Sequence, residues 1–386
     1  MSAAGMILGL ILMLSALGAA ACYIARRVYQ CLSFVIVQLD PEVCTGAALF
    51  LAFLMLLCFA RSLLPIPASV KHIFNLVSSY LMGFFIYLLL FFALADLILF
   101  LGLLFRILPN PFPQSIRFFS GLAAFFLTIG TVGYGLYNAG RIRYVSYDIQ
   151  IEKNVSAAAW NLVLVSDLHI GAVGSEAHLE AVISRINALE PDLVCIAGDL
   201  FDNDYSAIQD PQAASDTLKT IQATYGVYAC LGNHDAGKTF DEMLAFLQRS
   251  HIQVLNDEAR IIDGRLVLIG RLDASPIGGF GGLSRKSFAQ AAAGADFSLP
   301  VVVMDHNPAG MEAYGKEVDL VLFGHTHKGQ IFPGNLFTER IFPVDYGYYR
   351  KDADSPHNIV TSGAGTWGMP MRVGTNCEIV QIRLHP

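Results

Sequence analysis

Five short apolar runs in the second half of this chain each lead directly into residues able to ligate a metal. Asp167 follows Asn161-Leu162-Val163-Leu164-Val165-Ser166, and Gly198-Asp199 follows Asp192-Leu193-Val194-Cys195-Ile196-Ala197. Gly232-Asn233 follows Gly226-Val227-Tyr228-Ala229-Cys230-Leu231, His306 comes after Val301-Val302-Val303-Met304, and His325 after Asp319-Leu320-Val321-Leu322-Phe323. Runs that are short, continuous and rich in β-branched residues mark strands buried on both faces. Open α/β sheets carry their sites just past the carboxyl ends of such strands. The pattern predicts an α/β domain with one polar cluster along the strand ends.

The chemistry of that cluster is narrow. Asp167-Leu168-His169, Gly198-Asp199, Gly232-Asn233-His234-Asp235, Asp305-His306 and Gly324-His325-Thr326-His327 supply carboxylates, an amide oxygen and imidazoles, enough to hold two metal ions side by side. In the Asp-x-His and His-x-His pairs the ligands stand two residues apart, and an extended backbone would send both to one face. Such mixed ligands suit Mn, Fe or Zn rather than Mg or Ca. Asp305 is expected to cap its strand end rather than bind metal. His72, His178, His251, His357 and His385 lie outside the motifs and are expected to be structural or exposed. Gly278-Gly279-Phe280-Gly281-Gly282 lacks the ending of a phosphate loop and reads as a lid or a plain loop. Lys328 and Arg372 are candidates to touch a substrate phosphate.

The first half of the chain has a different character. Of 386 residues, 54% are hydrophobic and only 15% charged, too greasy for a soluble domain alone. Apolar stretches at about 6–25, 46–64, 76–105 and 118–137 are each long enough to span a bilayer. They predict a multi-pass membrane domain over 1–140, a polar connector over 141–158 and a catalytic domain over 159–386. Asp40-Pro41, Pro65-Ile66-Pro67 and Pro109-Asn110-Pro111-Phe112-Pro113 punctuate the spans. The first stretch lacks a basic leader and is expected to be a retained helix, not a signal peptide. Loop charges are balanced, with Arg26, Arg27, Arg106 and Arg117 on one side and Arg61, Lys71, Arg141 and Arg143 on the other. Arg26-Arg27 after the first span would put that loop in the cytoplasm and the catalytic domain outside. Asp96, an acid within an apolar stretch, is either a functional residue or an interfacial one.

Charge also excludes a partner. Residues 1–149 hold eight Lys/Arg against four Asp/Glu, and the remainder seventeen against twenty-eight. An acidic catalytic half is a poor surface for nucleic acid, whose backbone calls for a basic one. The seven cysteines are scattered without C-x-x-C spacing, and Cys195 and Cys230 fall in expected core strands, where they act as small hydrophobes.

The ordered set Asp-x-His, Gly-Asp, Gly-Asn-His-Asp, His, Gly-His-x-His resembles the calcineurin-like metallophosphoesterases over about residues 160–384. Ser166-Asp167-Leu168-His169-Ile170-Gly171 and Gly324-His325-Thr326-His327-Lys328-Gly329-Gln330-Ile331 are similar to the bacterial YkuE/YaeI branch, as is the closing Gly363-Ala364-Gly365 with Pro370 and Arg372. Lys328 and Cys377 depart from that branch at the rim. The resemblance implies a four-layer α/β/β/α sandwich, here preceded by a bundle of about four transmembrane helices. It also implies that Asp167, His169 and His327 hold one divalent ion and Asn233, His306 and His325 the other, with Asp199 bridging. Two ions about 3.5–4 Å apart would activate a bridging hydroxide for in-line attack on phosphorus. His234 would then protonate the leaving oxygen, oriented by Asp235.

Phosphoprotein phosphatases of that superfamily carry Gly-Asp-x-x-Asp-Arg-Gly. Here Gly198-Asp199-Leu200-Phe201-Asp202-Asn203-Asp204 has no arginine to grip a phosphomonoester dianion. A phosphodiester or pyrophosphate is the expected substrate, lipid-linked by proximity to the membrane, with a phosphomonoester as the alternative. A non-catalytic membrane sensor and a permease with an attached regulatory domain are the competing classes.

Overall fold

The computed structural model describes residues 3–36, 38–59, 68–153 and 159–385. Pro65-Ile66-Pro67, Arg61 and the end of the expected connector lie outside the described residues. The chain divides into two compact units, Met1–Tyr134 and Gly135–Pro386.

The first unit is helical: α1 (Ala3–Leu32), α2 (Pro41–Phe59), α3 (Ala68–Leu104) and most of α4 (Gln114–Ala139). Among the described residues three helices are long and apolar enough to cross a membrane, Ile7–Leu32, His72–Leu104 and Gln114–Ala139. Residues 46–59 of the remaining expected span lie in α2, whose apolar run Pro41–Leu56 is shorter, and residues 60–64 of it lie outside the described residues. Arg26 and Arg27 lie inside α1 rather than in the loop after it. Arg27 is 4% exposed. Its Nε sits 3.3 Å from Asp96 Oδ1 on α3, and its guanidinium faces the Phe92 ring at 5.7 Å. Tyr23 donates its hydroxyl to Asp96 Oδ2 at 2.6 Å. Asp96 thus ties α1 to α3, which gives this acid in an apolar helix a structural partner set.

In the second unit, two six-stranded sheets pack face to face between layers of helix. One sheet runs β1 (Ile142–Gln150), β12 (Cys377–His385), β2 (Trp160–Val165), β3 (Leu193–Ala197), β4 (Val227–Cys230), β5 (Ile252–Val254). The other runs β10 (Gly347–Tyr349), β11 (His357–Val360), β9 (Leu320–Phe323), β8 (Val301–Met304), β7 (Leu266–Gly270), β6 (Glu258–Ile262). Strands β2 to β5 are parallel, as are β11, β9, β8 and β7. Period-two alternation divides each buried strand between two cores. Leu162, Leu164, Cys195, Cys230, Val302, Met304 and Leu322 fill the space between the sheets. Val163, Val165, Val194 and Ile196 face the opposite way, in one cluster with α5 (Ser175–Asn187), α6 (Pro211–Leu218) and α7 (Phe240–Arg249). Val301, Val303, Val321 and Phe323 pack outward with Ala291 of α8 (Phe288–Ala291). The result is the four-layer α/β/β/α sandwich.

The expected connector is a correction. Residues 142–150 form β1, paired in parallel with β12 from Ile142↔Cys377 to Gln150↔His385. Its burial alternates unevenly at the sheet edge, so its sequence looked polar. The second unit consequently begins before residue 141, at Gly135 in the last turn of α4.

Candidate metal centre

All five ligand-bearing segments converge where the carboxyl ends of β2, β3 and β4 in one sheet meet those of β8 and β9 in the other. The backbone does not stay extended there. Asp167 (φ 55°), His169 (φ 47°), Asp199 (φ 51°), His325 (φ 71°) and His327 (φ 49°) are all left-handed. Each such residue costs about 1–3 kcal/mol and persists only where its surroundings enforce it. Here backbone bonds do so: Asp167 N–H donates to Gly198 O at 3.1 Å and His169 N–H to Asp199 O at 3.1 Å. The extended-strand geometry expected for the Asp-x-His and His-x-His pairs is therefore replaced by turns. Two motif glycines permit the crowding. A Cβ on Gly232 would lie 2.2 Å from Asp199 Oδ1, and one on Gly324 would lie 2.5 Å from Asp167 Oδ2.

The side chains form two triads. In the first, Asp167 Oδ1 lies 3.3 Å from His327 Nε2 and 3.9 Å from His169 Nε2. The two imidazole nitrogens are 3.1 Å apart. In the second, His306 Nε2 stands 3.0 Å from Asp199 Oδ2 and 3.3 Å from His325 Nδ1. The turn at Thr326 thus sends the two histidines of Gly-His-x-His to different triads. Asp199 Oδ2 also lies 3.9 Å from His169 Nε2, so one oxygen faces both groups. His306 holds its other nitrogen, Nδ1, 2.8 Å from Ala197 O, and must donate there; Nε2, which faces Asp199, would then ligate an ion by giving up its proton. Asn233 is buried, and its Oδ1 has no hydrogen-bond partner among the described residues. A buried, orphaned amide oxygen in the loop after β4 is what a divalent ion would satisfy. The residues present fit two such ions: Asp167, His169 and His327 for one, His306, His325 and Asn233 for the other, with Asp199 between.

Electrostatics agree with that assignment for all but one ring: burial would lower His306, but Asp199 beside it raises it well above the usual imidazole range, so an ion there would displace a proton. Burial alone would raise Asp167, but His327 beside it outweighs this and holds the carboxyl well below the usual range. Asp199 is held down in the same way by His306 despite its burial. Burial lowers His169 to about 4. It also lowers His325 to about 4, helped by His306. Both rings are neutral near pH 7, the form a metal needs.

His234 and Asp235 are not paired in the way the resemblance implies. His234 donates its backbone N–H to Asp199 Oδ1 at 2.8 Å, and its ring lies edge-on to His169 at 5.0 Å. The ring Nδ1 of His234 has no partner among the described residues. Asp235 does not orient it. Its carboxylate is fully buried and accepts Phe201 N–H and Gly232 N–H, each at 2.9 Å, locking the Asp199 and Asn233 loops together. Burial, followed by the charge of Asp199, pushes Asp235 up to about 8.

Four further residues find their place. Asp202 enters the sequence reading only as the neighbour of the missing arginine, whose position Asn203 takes. Asp202 Oδ1 lies 3.7 Å from His169 Nδ1, and the residue groups with His169 and His234 as a third convergent set. Its spacing three residues after Asp199 in one loop was the available signal. Arg372 is fully buried and spends its guanidinium on His327 O at 2.9 Å and Gly365 O at 2.6 Å, so it is a support and not a phosphate contact. Lys328 directs Nζ over the Tyr346 ring at 4.0 Å. Asp305 is engaged by Arg285 at 2.9 and 2.6 Å and by the Tyr314 hydroxyl at 2.5 Å, leaving no role as a ligand. The glycine-rich loop is a packed one. Phe280 is buried against Phe240, and Ile277 N–H donates to Asn233 O at 2.9 Å.

Comparison with known proteins agrees with the geometry. Residues 161–329 match the sequence profile of the calcineurin-like phosphoesterases. A metallophosphoesterase of Helicobacter pylori is 29% identical over 231 residues, 58% of this chain and 60% of that one. A transmembrane protein with metallophosphoesterase domain from Danio rerio is 32% identical over 280 residues, 68% of this chain and 62% of that one. The metallophosphoesterase YkuE of Bacillus subtilis is 29% identical over 239 residues, 58% of this chain and 79% of that one. The alignments span less than two thirds of the first two relatives' length. The chain carries a calcineurin-like metallophosphoesterase domain.

Proposed function

We propose that this calcineurin-like metallophosphoesterase domain, anchored to a membrane by the first unit, hydrolyses a phosphodiester or pyrophosphate bond in a lipid-linked substrate. The observation that carries the hydrolytic reading is the position of Asp199 Oδ2, 3.0 Å from His306 in one triad and 3.9 Å from His169 in the other. When bound, two divalent ions (Mn, Fe or Zn) would supply the Lewis acidity that lowers the pKa of a water nucleophile and draws charge from the phosphoryl oxygens. The chain's own residues do the rest. Asp167, His169 and His327 hold one position, His306, His325 and Asn233 the other, and Asp199 fixes their separation. His234 stands beside both sets with an unpartnered ring nitrogen, suited to protonate the leaving oxygen. Asp235 sets the distance between the loops that bear Asp199 and Asn233.

The run Gly198-Asp199-Leu200-Phe201-Asp202-Asn203-Asp204, without an arginine, supports a substrate with a single negative charge at the reacting phosphorus over a monoester dianion. The helices of membrane-spanning length support a substrate met at the bilayer. Exposed Arg26, in the last two turns of α1, favours a cytoplasmic α1–α2 loop and an extracytoplasmic domain. Protease digestion of intact against permeabilised cells tests the side. Detergent-purified, manganese-loaded full chain, offered soluble diesters, monoesters, phospholipids and lipid diphosphates, tests the substrate class. Turnover of a lipid phosphoester well above the soluble ones is expected. Efficient cleavage of soluble esters with every lipid ignored would end the lipid-linked reading, and preference for monoesters would make the domain a phosphatase.

A further inference from the structure

Helix α9 (Asn335–Ile341), just beyond the Gly-His-x-His motif, carries its apolar side chains outward. None of its seven residues is buried. Leu336 is 41% exposed, Phe337 64% and Ile341 70%, with Phe332 ahead of the helix at 51%. Phe337 and Ile341 stand four apart and share one helical face. An amphipathic helix on a soluble domain normally turns that face to the core. Here it turns away.

The patch continues across to the closing loop. Phe332 N–H donates to Val373 O at 2.8 Å. Gln330 clamps Trp367 from both sides, its Nε2 on Trp367 O and its Oε1 on Trp367 N, each at 2.8 Å. The Trp367 side chain belongs to the same surface and is 45% exposed. Both margins touch the metal centre: the Trp367 ring lies edge-on to His234 at 5.8 Å, and Phe342, which follows α9, lies edge-on to His325 at 5.5 Å. Exposed Arg340 lies along the same short helix, donating Nη1 to Leu336 O at 2.5 Å. Aromatic and aliphatic side chains beside an arginine make the composition of a segment that lies in a membrane interface, where the rings enter the headgroup–acyl boundary and the cation meets lipid phosphate.

We propose that Phe332, α9 and Trp367 form a bilayer-docking surface at the mouth of the metal centre, so that a phosphoester in a lipid headgroup reaches the site while its acyl chains stay in the membrane. The occupant is the bilayer itself, because the same chain carries helices of membrane-spanning length and so keeps a bilayer within reach of this domain. The inference rests on the membrane-anchored, lipid-directed reading above, but its test does not depend on turnover.

The chain holds two tryptophans, and they report oppositely. Trp160 is 4% exposed in the β2 core, whereas Trp367 lies in the patch. Full-length protein in phosphatidylcholine nanodiscs is compared with the same protein in phosphatidylcholine brominated along the acyl chain, a short-range quencher of indole. Emission that disappears in Trp367→Phe is assigned to Trp367. The expected result is quenching of that emission by brominated lipid, lost in the double variant Phe337→Ser, Ile341→Ser. That variant should keep turnover of a soluble diester within about twofold, since neither side chain touches the metal centre. Unchanged Trp367 emission in brominated lipid overturns the proposal. So does quenching that persists in the double variant, or a patch whose substitution only breaks up an oligomer in detergent. Quenching that behaves as expected in protein inert towards every phosphoester would sustain the docking surface and sink the hydrolytic reading alone.

Discussion

The guanidinium of Arg372 lies fully buried behind the imidazole of His327, with Nη2 3.2 Å from the ring Nδ1 and Nη1 2.9 Å from the backbone oxygen. His327 has a left-handed backbone, and it is this arginine, with Thr375 Oγ1 on the same carbonyl at 3.2 Å, that holds the turn. A planar fork can grip a carbonyl and a ring nitrogen together, which an ammonium cannot do.

Arg372→Lys should therefore weaken the ion held by Asp167, His169 and His327 by about 10–100-fold and leave the other ion bound, as outer-shell substitutions at metal sites do. Isothermal titration of metal-stripped protein with manganese reads this as two separated affinities. Equal weakening of both ions would show a general loss of structure instead.

Gly232→Ala should abolish activity in a protein that still folds. The added methyl would meet Asp199 Oδ1 at 2.2 Å and force the bridging carboxylate aside. A displacement of about 1 Å in a catalytic group costs about 100-fold in rate. The turnover number is the measurement, with circular dichroism to confirm the fold.

His234→Gln should lower the turnover number by about 100- to 10,000-fold for esters with a poor leaving group, the range lost with a general acid. A p-nitrophenyl ester, whose leaving group needs no proton, should suffer much less. Metal content should stay at the wild-type value, because the ring lies outside both triads. An equal loss for good and poor leaving groups would remove His234 from the proton-transfer role.

Acid should destabilise the metal-free protein through its histidines. His325 is lowered from 6.5 to about 4, by burial first and by His306 second, so the ring is neutral in the fold where the unfolded chain takes up a proton. Its contribution is whole above pH 6.5 and shrinks as pH falls towards about 4. Asp235, pushed up from 3.8 to about 8 by burial, acts in the opposite sense over the whole of that range and beyond it to about pH 8. Comparison with His325→Asn separates the two. In EDTA-treated protein the difference in melting temperature, wild type minus variant, should rise from pH 4 to pH 6.5 and then level off. A constant difference would contradict the shift.

Much of this fold was legible because strands buried on both faces cannot alternate. Val301-Val302-Val303-Met304 and Leu320-Val321-Leu322-Phe323 announce themselves as continuous apolar runs. Edge strands do not: β1 is exposed at five of nine positions and β6 at three of five, and neither reads as a strand from its sequence. Short helices leave as little sign: α8 has four residues and α9 seven, too few for a helical period to stand out. In the site, the metal-binding types and their order could be read directly, since the side-chain chemistry is carried by the residue itself. The work of Asp235 and Arg372 could not, because each acts on backbone groups of segments remote in sequence. Nor could the left-handed turns at Asp167, His169, His325 and His327, since non-glycine residues give no local sign of positive φ.

The most direct test of the account is electron paramagnetic resonance of metal-stripped, manganese-reloaded protein, wild type against Asp199→Asn. Two ions sharing the Asp199 carboxylate should give an exchange-coupled two-manganese spectrum, replaced in the variant by isolated-ion signals. Isolated-ion signals alone in the wild type, at saturating manganese, would contradict a dinuclear centre.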